Sequence, residues 1–271
     1  MALRESIPAS RAEAELLIAQ RNFGWKQPWN SIQRNKDILR SEGLPLVVEL
    51  GRAPLPTEFG DWTYYAFGDR TEGSHHEVLV FGNIDSGSLG DGKNVLTRIH
   101  SACRTNEVYH AVNCECRKEL HQAMKLISEE GRGVLIYLEQ EGRGTGISGK
   151  MHQLNGMFEW DGGGTKILQR VDQQTGERID TDRAYRDAGL PSEIRDFDVA
   201  GEMLKHIGIE SVRLLTNNPA KIAGIESAGI KVEPVEIHIQ PDNEIIACDL
   251  RSKAANLGHH ISEEHLKLNH D

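Results

Sequence analysis

Cys103, Cys114 and Cys116 fall within fourteen residues of one another, and the remaining cysteine of the chain, Cys248, lies far off near the C-terminus. Three thiols gathered in a cysteine-poor chain fit a metal centre. Structural zinc takes four protein ligands, whereas catalytic zinc takes three and keeps one place for water or substrate. The ligand count therefore favours one Zn2+ per chain with an open position. Spacing alone leaves two other readings standing: three ordinary free thiols, or a structural zinc site that recruits Cys248 as its fourth ligand.

Two further stretches carry residue types suited to an anionic ligand. Gln140-Glu141-Gly142-Arg143-Gly144 follows the apolar run Val134 to Leu138. Glycines let the backbone approach a ligand, and Arg143 can make a bidentate contact with phosphate or carboxylate. The spacing is not that of a Walker loop. Thr216-Asn217-Asn218-Pro219 closes a second apolar strand and opens a helix. Thr216 or Asn217 can cap that helix, Pro219 suits its first turn, and the junction points free N–H groups outward with Lys221 nearby. Glu115, between two candidate ligands, can orient the ligand loop or move a proton. Arg195 read by itself is a surface partner of Asp196 or Asp198.

The elements that must position these residues follow from periodicity. Residues 1–45 read as a helical N-terminal extension, with one helix over Arg11 to Gln20 and a second over Ile32 to Ser41 closed by Gly43. From Leu46 short strands alternate with Gly, Pro and Asp clusters, which implies an antiparallel, barrel-like unit ahead of the cysteines. Helices over Glu119 to Glu130 and Phe197 to Ile207 then alternate with strands over Val134 to Leu138, Val212 to Leu215 and Ile230 to Ile239. The expected class is α/β (α+β): a mixed β-sheet flanked by helices, with the motifs at strand ends. The catalytic unit spans residues 46–261, with an insertion over about 155–179 read as a mobile loop, hairpin or lid, and a frayed tail over 262–271. His259 and His260 read as solvent-exposed.

Composition removes several classes. The net charge of −10 argues against nucleic-acid binding, which needs a basic face. No run of eighteen apolar residues exists, so no membrane helix is expected, and the first residues lack the apolar core of a secretory signal. Sparse cysteines clustered like ligands fit the cytoplasm.

Taken together, Arg98-Ile99-His100-Ser101-Ala102-Cys103, Cys114-Glu115-Cys116, Gln140 to Gly144, Arg195-Asp196-Phe197 and Arg213 to Pro219 resemble GTP cyclohydrolase II in order and spacing, from about Leu55 to His259. The resemblance implies a zinc enzyme and homodimer that opens the imidazole ring of GTP, releasing formate and pyrophosphate on the way to riboflavin. It makes Cys103, Cys114 and Cys116 the zinc ligands and Arg195 a nucleophile toward the α-phosphate. Glu193 falls where the family has an aspartate proposed as a base. Arg98, Glu141, Arg143, Thr181, Thr216 and Lys221 fall on nucleotide-contacting positions, with Gly142 in the same loop. Mg2+ can accompany the nucleotide phosphates. Zinc in such a site lowers the pKa of water from about 16 toward about 7, giving hydroxide for attack on a ring carbon.

The departures from that pattern gather near the base. Leu154 stands where the family has a catalytic tyrosine, and leucine forms no hydrogen bond. Glu119 replaces a glutamine near the base, trading a donor and acceptor for an acceptor alone. Asn106-Glu107 and Arg117 are off-pattern beside the cysteines. Tyr185 stands where the family has an asparagine and can substitute for the missing tyrosine. A diverged branch, the cyclohydrolase-like enzymes of uracil catabolism, also lacks that tyrosine, which leaves a uracil-derived nucleotide as an alternative substrate. An inactive nucleotide-binding protein is the reading from a different class.

Overall fold

The computed structural model describes residues 29–82 and 89–268. The helix expected over Arg11 to Gln20 lies outside the described residues. Helix α1, Trp29–Ser41, is followed by Gly43 at φ +66°, a left-handed value that glycine adopts without cost. The helix is tied to the body by charge. Lys36, 1% exposed, pairs with Asp196 and lies 3.4 Å from Asp198, and Arg40 sits 2.8 Å from Asp198.

Strands β1 (Val47–Thr57), β2 (Gly60–Asp69) and β3 (His75–Phe81) form two antiparallel hairpins. The barrel-like unit expected from them does not close. From His76 to Phe81, β3 pairs with β5, Gly133–Leu138, and the hairpins thereby join one seven-stranded sheet. The reason is on β3 itself. Val78 and Val80 enter the core on one face while Leu79 enters the core on the other, so the strand is buried on both sides and suits the middle of a sheet.

β4 (Val95–Ser101), β8 (Ser211–Leu215) and β9 (Lys231–Val235) complete the sheet in the order β1-β2-β3-β5-β4-β8-β9, with β5, β4, β8 and β9 parallel to one another. Helices cover both faces. Ala123, Met124 and Ile127 of α3, Cys116–Glu130, pack with Leu79, Leu96 and Leu135. Val199, Met203 and Leu204 of the helix Asp198–His206 pack with Val78, Ile99 and Ile136 on the opposite face. Parallel strands deliver their following loops to the same sheet edge. Here those loops are the segment of Cys103 after β4, the Gly-rich turn after β5 and the Thr216 junction after β8.

Between β4 and α3 lies a single turn, α2, Arg104–Glu107. After β5 come α4 (Gly146–Met157) and the two-stranded hairpin β6 (Phe158–Trp160) and β7 (Ile167–Gln169). The stretch 155–179 thus starts inside a helix and continues as a hairpin, extended by the bridge between Val171 and Arg178. α5, Thr181–Asp187, opens on Asp180, whose side chain accepts from Arg183 N at 2.8 Å. In the chain's later half, α6 is the Asp198–His206 helix and α7 is Pro219–Ser227. Thr216 and Asn217 do not cap α7. Asn218 does, accepting from Ala220 N at 2.9 Å, while Asn217 pairs its amide with the backbone of Ile237. A further helix, α8, Glu244–Leu257, runs from the cap Asn243 to Gly258 at φ +67°. His259 is half-buried behind it, not solvent-exposed as expected; His260 is exposed. Residues Glu263–Leu266 form a 3-10 turn. Among the described residues no helix is long and apolar enough to cross a membrane.

Gly133 sets the tolerance at the start of β5. A Cβ there would lie 2.6 Å from Leu96 O and 2.6 Å from Ile127 Cγ2, inside contact distance of both a strand backbone and α3. Gly133→Ala should therefore lower the unfolding free energy by about 1–3 kcal/mol, the usual cost of overpacking. Urea unfolding measures it, and an unchanged midpoint would contradict the packing described.

A candidate metal centre and substrate cleft

The sulfurs of Cys103, Cys114 and Cys116 all lie within 4.8 Å of one another, and those of Cys103 and Cys114 are 3.6 Å apart. A tetrahedral zinc with bonds of about 2.3 Å needs sulfur–sulfur edges of about 3.8 Å, so this donor set fits the ion. Cys103 is the cap residue just before α2, and Cys116 is the first residue of α3. Asn106 fixes the loop between them. Its amide donates to Ala111 O and, at 3.0 Å, to Cys114 O, while its oxygen accepts from Arg117 N at 2.6 Å. Glu107 accepts from Cys103 N at 2.9 Å, from Tyr137 Oη at 2.6 Å and from His100 Nε2 at 2.8 Å. The off-pattern pair Asn106-Glu107 is thus the scaffold of the cysteine loop. Cys248 is not part of the cluster, which removes it as a fourth ligand. Asp69, Glu72 and His76 also gather, but His76 spends Nε2 on Asp69 (3.1 Å) and Nδ1 on Glu139 N (3.2 Å). That group is internally satisfied and leaves no ring nitrogen for an ion.

The cysteines line one compartment of a cleft together with Glu141, Gly142, Arg143, Thr181, Tyr185 and Arg195. The Gly-rich turn is held open from within. Glu141 accepts from Gly142 N at 3.0 Å and from Arg104 N at 2.7 Å, joining the turn to the cysteine loop. Gly142 has φ +64°, and a Cβ there would meet Thr145 Oγ1 at 3.0 Å and Tyr185 Oη at 3.3 Å. Arg143 itself adopts φ +55°, a conformation that costs an ordinary residue energy and is retained where the surroundings impose it. Its guanidinium lies 5.9 Å from the Tyr185 ring centre and 3.4 Å from Asp249. Tyr185 is 1% exposed, and burial pushes its phenol up. Leu154 is half-buried on α4 and lines neither compartment.

Arg195 is clamped by Glu193 rather than by Asp196 or Asp198. Its Nε lies 2.8 Å and 3.0 Å from the two carboxylate oxygens. Burial acts to raise Glu193, but the Arg195 charge outweighs it and holds the carboxyl below the usual range. Glu193 stands behind Arg195 and lines neither compartment.

The second compartment is lined by Arg98, Glu119, Thr216 and Lys221, with Glu115, Lys253 and His259. Arg98 donates to Leu215 O at 2.9 Å and pairs with Glu119. Thr216 Oγ1 accepts from Asn218 N at 3.0 Å. Lys221, expected as a solvated lysine or a ligand group, is buried and donates to Ile99 O at 2.8 Å. The residues singled out in the sequence therefore divide between two adjoining compartments. Four lining residues had no local signal: Lys150, whose Nζ lies 3.9 Å from Cys103 Sγ, and Asp249, Lys253 and His259 on or after α8. Against the burial that favours its neutral form, the Cys103 and Cys114 sulfurs hold Lys150 above the ordinary lysine range.

The GTP cyclohydrolase II profile matches residues 48–236. A GTP cyclohydrolase-2 of Azotobacter vinelandii is 36% identical over 222 residues, covering 81% of this chain and 94% of the relative. One of Neisseria meningitidis is 38% identical over 210 residues, covering 77% of this chain and 94% of the relative. A riboflavin biosynthesis protein RibBA of Bacillus mycoides is 34% identical over 208 residues, 76% of this chain and 46% of that protein. The mixed sheet, the three-cysteine cluster and these likenesses define a hydrolase that acts on a C–N bond of a cyclic amidine. The chain belongs to the GTP cyclohydrolase II family.

The Arg98–Glu119 pair gives an acid-sensitivity. Burial alone would raise Glu119, but Arg98 overrides it and holds the carboxyl at about 2. A carboxyl whose folded pKa is depressed contributes stability above its unfolded value, about 4.3, and loses it as pH falls toward the folded value. Glu119→Gln should flatten stability against pH in that window and cost about 1–3 kcal/mol at neutral pH, because Arg98 loses a charged partner. Urea unfolding at stepped pH checks both, and identical curves for the two proteins would refute the assignment.

Proposed function

We propose that the protein is a zinc-dependent cyclohydrolase that opens the imidazole ring of GTP and releases formate and pyrophosphate, a step toward riboflavin. The observation that carries this reading is the convergence of three thiols, Arg143, Arg195 and Tyr185 on one compartment. Cys103, Cys114 and Cys116 would hold the ion, which when bound supplies a Lewis acid and an activated water at neutral pH. Lys150 offsets the charge of the ligand set. Arg195, kept in place by Glu193, faces the compartment with its guanidinium ready for a phosphate oxygen, and Glu193 can receive a proton only when that pairing loosens. Tyr185 offers a phenol beside Gly142, in the absence of a tyrosine at Leu154. Glu141 and Gly142 keep the backbone of the turn close to the ligand. Thr181 and Asp249 stand against the same wall. Arg98, Glu119, Thr216 and Lys221 line the adjoining compartment, where the anionic part of a nucleotide meets Arg98 and Lys221. Mg2+ enters on the nucleotide phosphates rather than in a protein cage. A cytoplasmic homodimer goes with this reading.

A second reading keeps the metal chemistry and changes the base. Glu119 favours it, because an acceptor-only carboxylate locked onto Arg98 cannot present the amide N–H of a glutamine. Zinc-loaded protein incubated with GTP and with other purine and pyrimidine nucleotides separates the two, with products followed by mass spectrometry. Formate and pyrophosphate from GTP support the first reading; turnover of a pyrimidine nucleotide alone moves the substrate to the second. Stoichiometric zinc with no turnover of any nucleotide leaves a nucleotide-binding protein. Cys114→Ser should release zinc and reduce turnover at least about a hundredfold, as expected when a metal site is broken; full activity without zinc would remove the metal from the reaction.

Lys221 predicts a proton linkage. Burial first, then Arg98 and Arg195, push its ammonium well below the ordinary lysine range. A phosphate beside it favours the charged form, so binding takes up a proton and affinity falls as pH rises from the lowered value toward about 10.4. Calorimetry in buffers of different ionisation enthalpy should show uptake by the native chain and its loss in Lys221→Met; equal heats in both buffers would contradict it.

A further inference from the structure

Helix α8 and the residues after it reach both compartments, although no motif marks them. Lys253 lines each compartment. Its ammonium pairs with Glu115, the residue between Cys114 and Cys116, and lies 2.9 Å from Asp249. Asp249 in turn lies 3.4 Å from the Arg143 guanidinium. One buried chain of charges therefore runs from the cysteine loop through Glu115, Lys253 and Asp249 to the Gly-rich turn. Glu115 and Asp249 are each 2% exposed. Removing the lysine would leave the buried Glu115 carboxylate without its cation and Asp249 with Arg143 alone.

Seven residues after Lys253, the chain is anchored to the strand-end junction, where His260 N donates to Asn217 O at 2.9 Å. This places the His259 ring in the second compartment with Arg98, Lys221 and Lys253. Its Nε2 is buried and has no hydrogen-bond partner. Arg98 Nε, on a side chain only 4% exposed and in the same compartment, is also unpartnered. Two unpaired nitrogens beside the charges of Arg98 and Lys253 call for an acceptor-rich, anionic guest, since unpaired buried polar groups are costly and native structures rarely keep them. Burial, and then the charges of Lys253 and Arg195, hold the His259 ring at about 3, so it is neutral in ordinary solution and one ring nitrogen carries a proton to donate.

We propose that this C-terminal segment is part of the active site: His259 is a donor to the polyphosphate of the bound nucleotide, and Lys253 is a positioning residue that sets Glu115 against the cysteine loop and, through Asp249, Arg143 against the substrate. The assignment rests on the reading that the cleft takes a nucleotide. It separates the two compartments by task, with Lys253 at their junction.

The test compares the zinc-loaded native chain with His259→Ala, Lys253→Met and Lys253→Arg. Zinc content, calorimetric binding of GTP and of inorganic triphosphate, and kcat and KM with the nucleotide that the native chain turns over are measured on each. His259→Ala should keep native zinc and weaken inorganic triphosphate and GTP alike, by about tenfold or more, the usual loss for a hydrogen bond to a charged group. Lys253→Met should keep zinc and lose mainly kcat, with Lys253→Arg restoring part of it. His259→Ala binding triphosphate as tightly as the native chain overturns the donor role. Lys253→Met that sheds zinc with GTP affinity unchanged overturns the positioning role, reducing the lysine to a support of the cysteine loop. Should Lys253→Met fail to fold, Asp249→Asn takes its place, with the same kcat loss expected and native kinetics counting against the proposal. A native chain that binds neither GTP, other nucleotides nor inorganic triphosphate overturns the nucleotide reading along with this one, whereas native binding that survives every substitution overturns this one alone.

Discussion

Ions withdrawn from water at the ends of β4, β5 and β8 have to find one another, because each unpaired ion costs several kcal/mol in such a setting. The pairing they reach is what organises the cleft. Arg98 on β4 takes Glu119 on α3; Glu115 takes Lys253 from α8; Asp249 takes Arg143; Glu193 takes Arg195. Most of these pairs join segments distant in sequence, so they fix how loops from different strands face each other. Even α1 is held this way, through Lys36 and Asp196. The hydrophobic cores on the two sheet faces supply the apolar burial. The paired charges at the strand ends set how the loops meet.

That constraint explains which parts of the fold were legible in the sequence. The strands over Val134 to Leu138 and Val212 to Leu215, and the helices over Glu119 to Glu130 and Phe197 to Ile207, bury apolar side chains at the period of their element. Their signal is local, and they stand where the pattern put them. Helix α8 carries a different kind of face. It buries Asp249 and Ser252 beside Ile246 and Leu250, so an apolar-period reading finds little there, although Asn243 and Gly258 mark its ends. The barrel-like expectation failed for a related reason. Alternation says that β3 is a strand, yet only the burial of both its faces says that it belongs mid-sheet.

The site was legible in the same uneven way. Clustered cysteines and a Gly-rich turn are short-range patterns, and the structure gathers them. Lys150, Lys253 and His259 are single residues on or beside helices, with no pattern to distinguish them from solvated side chains until the sheet edge brings them together. Asn106 and Glu107 show the converse. Compared with the family pattern they are substitutions beside the clustered cysteines, yet their side chains make the hydrogen bonds that shape the cysteine loop.

Glu119 and Tyr185 carry this distinction to the substrate. Glu119 contributes one charge to a buried pair with Arg98, so its identity answers to the guanidinium as much as to any base. Its carboxylate follows from the need to neutralise Arg98 in a wall where Lys221 is already pushed toward its neutral form. Tyr185 has no such obligation. It is buried against the Gly-rich turn with its hydroxyl beside Gly142 and Arg143 over its ring, in a compartment where Leu154 contributes nothing. The compartment of the cysteines therefore holds a phenol, that of Tyr185. The neighbouring compartment balances Arg98 with Glu119. On the proposed function, selectivity for the base turns on how far a ligand competes with Glu119 for Arg98, a matter of charge balance within one buried wall.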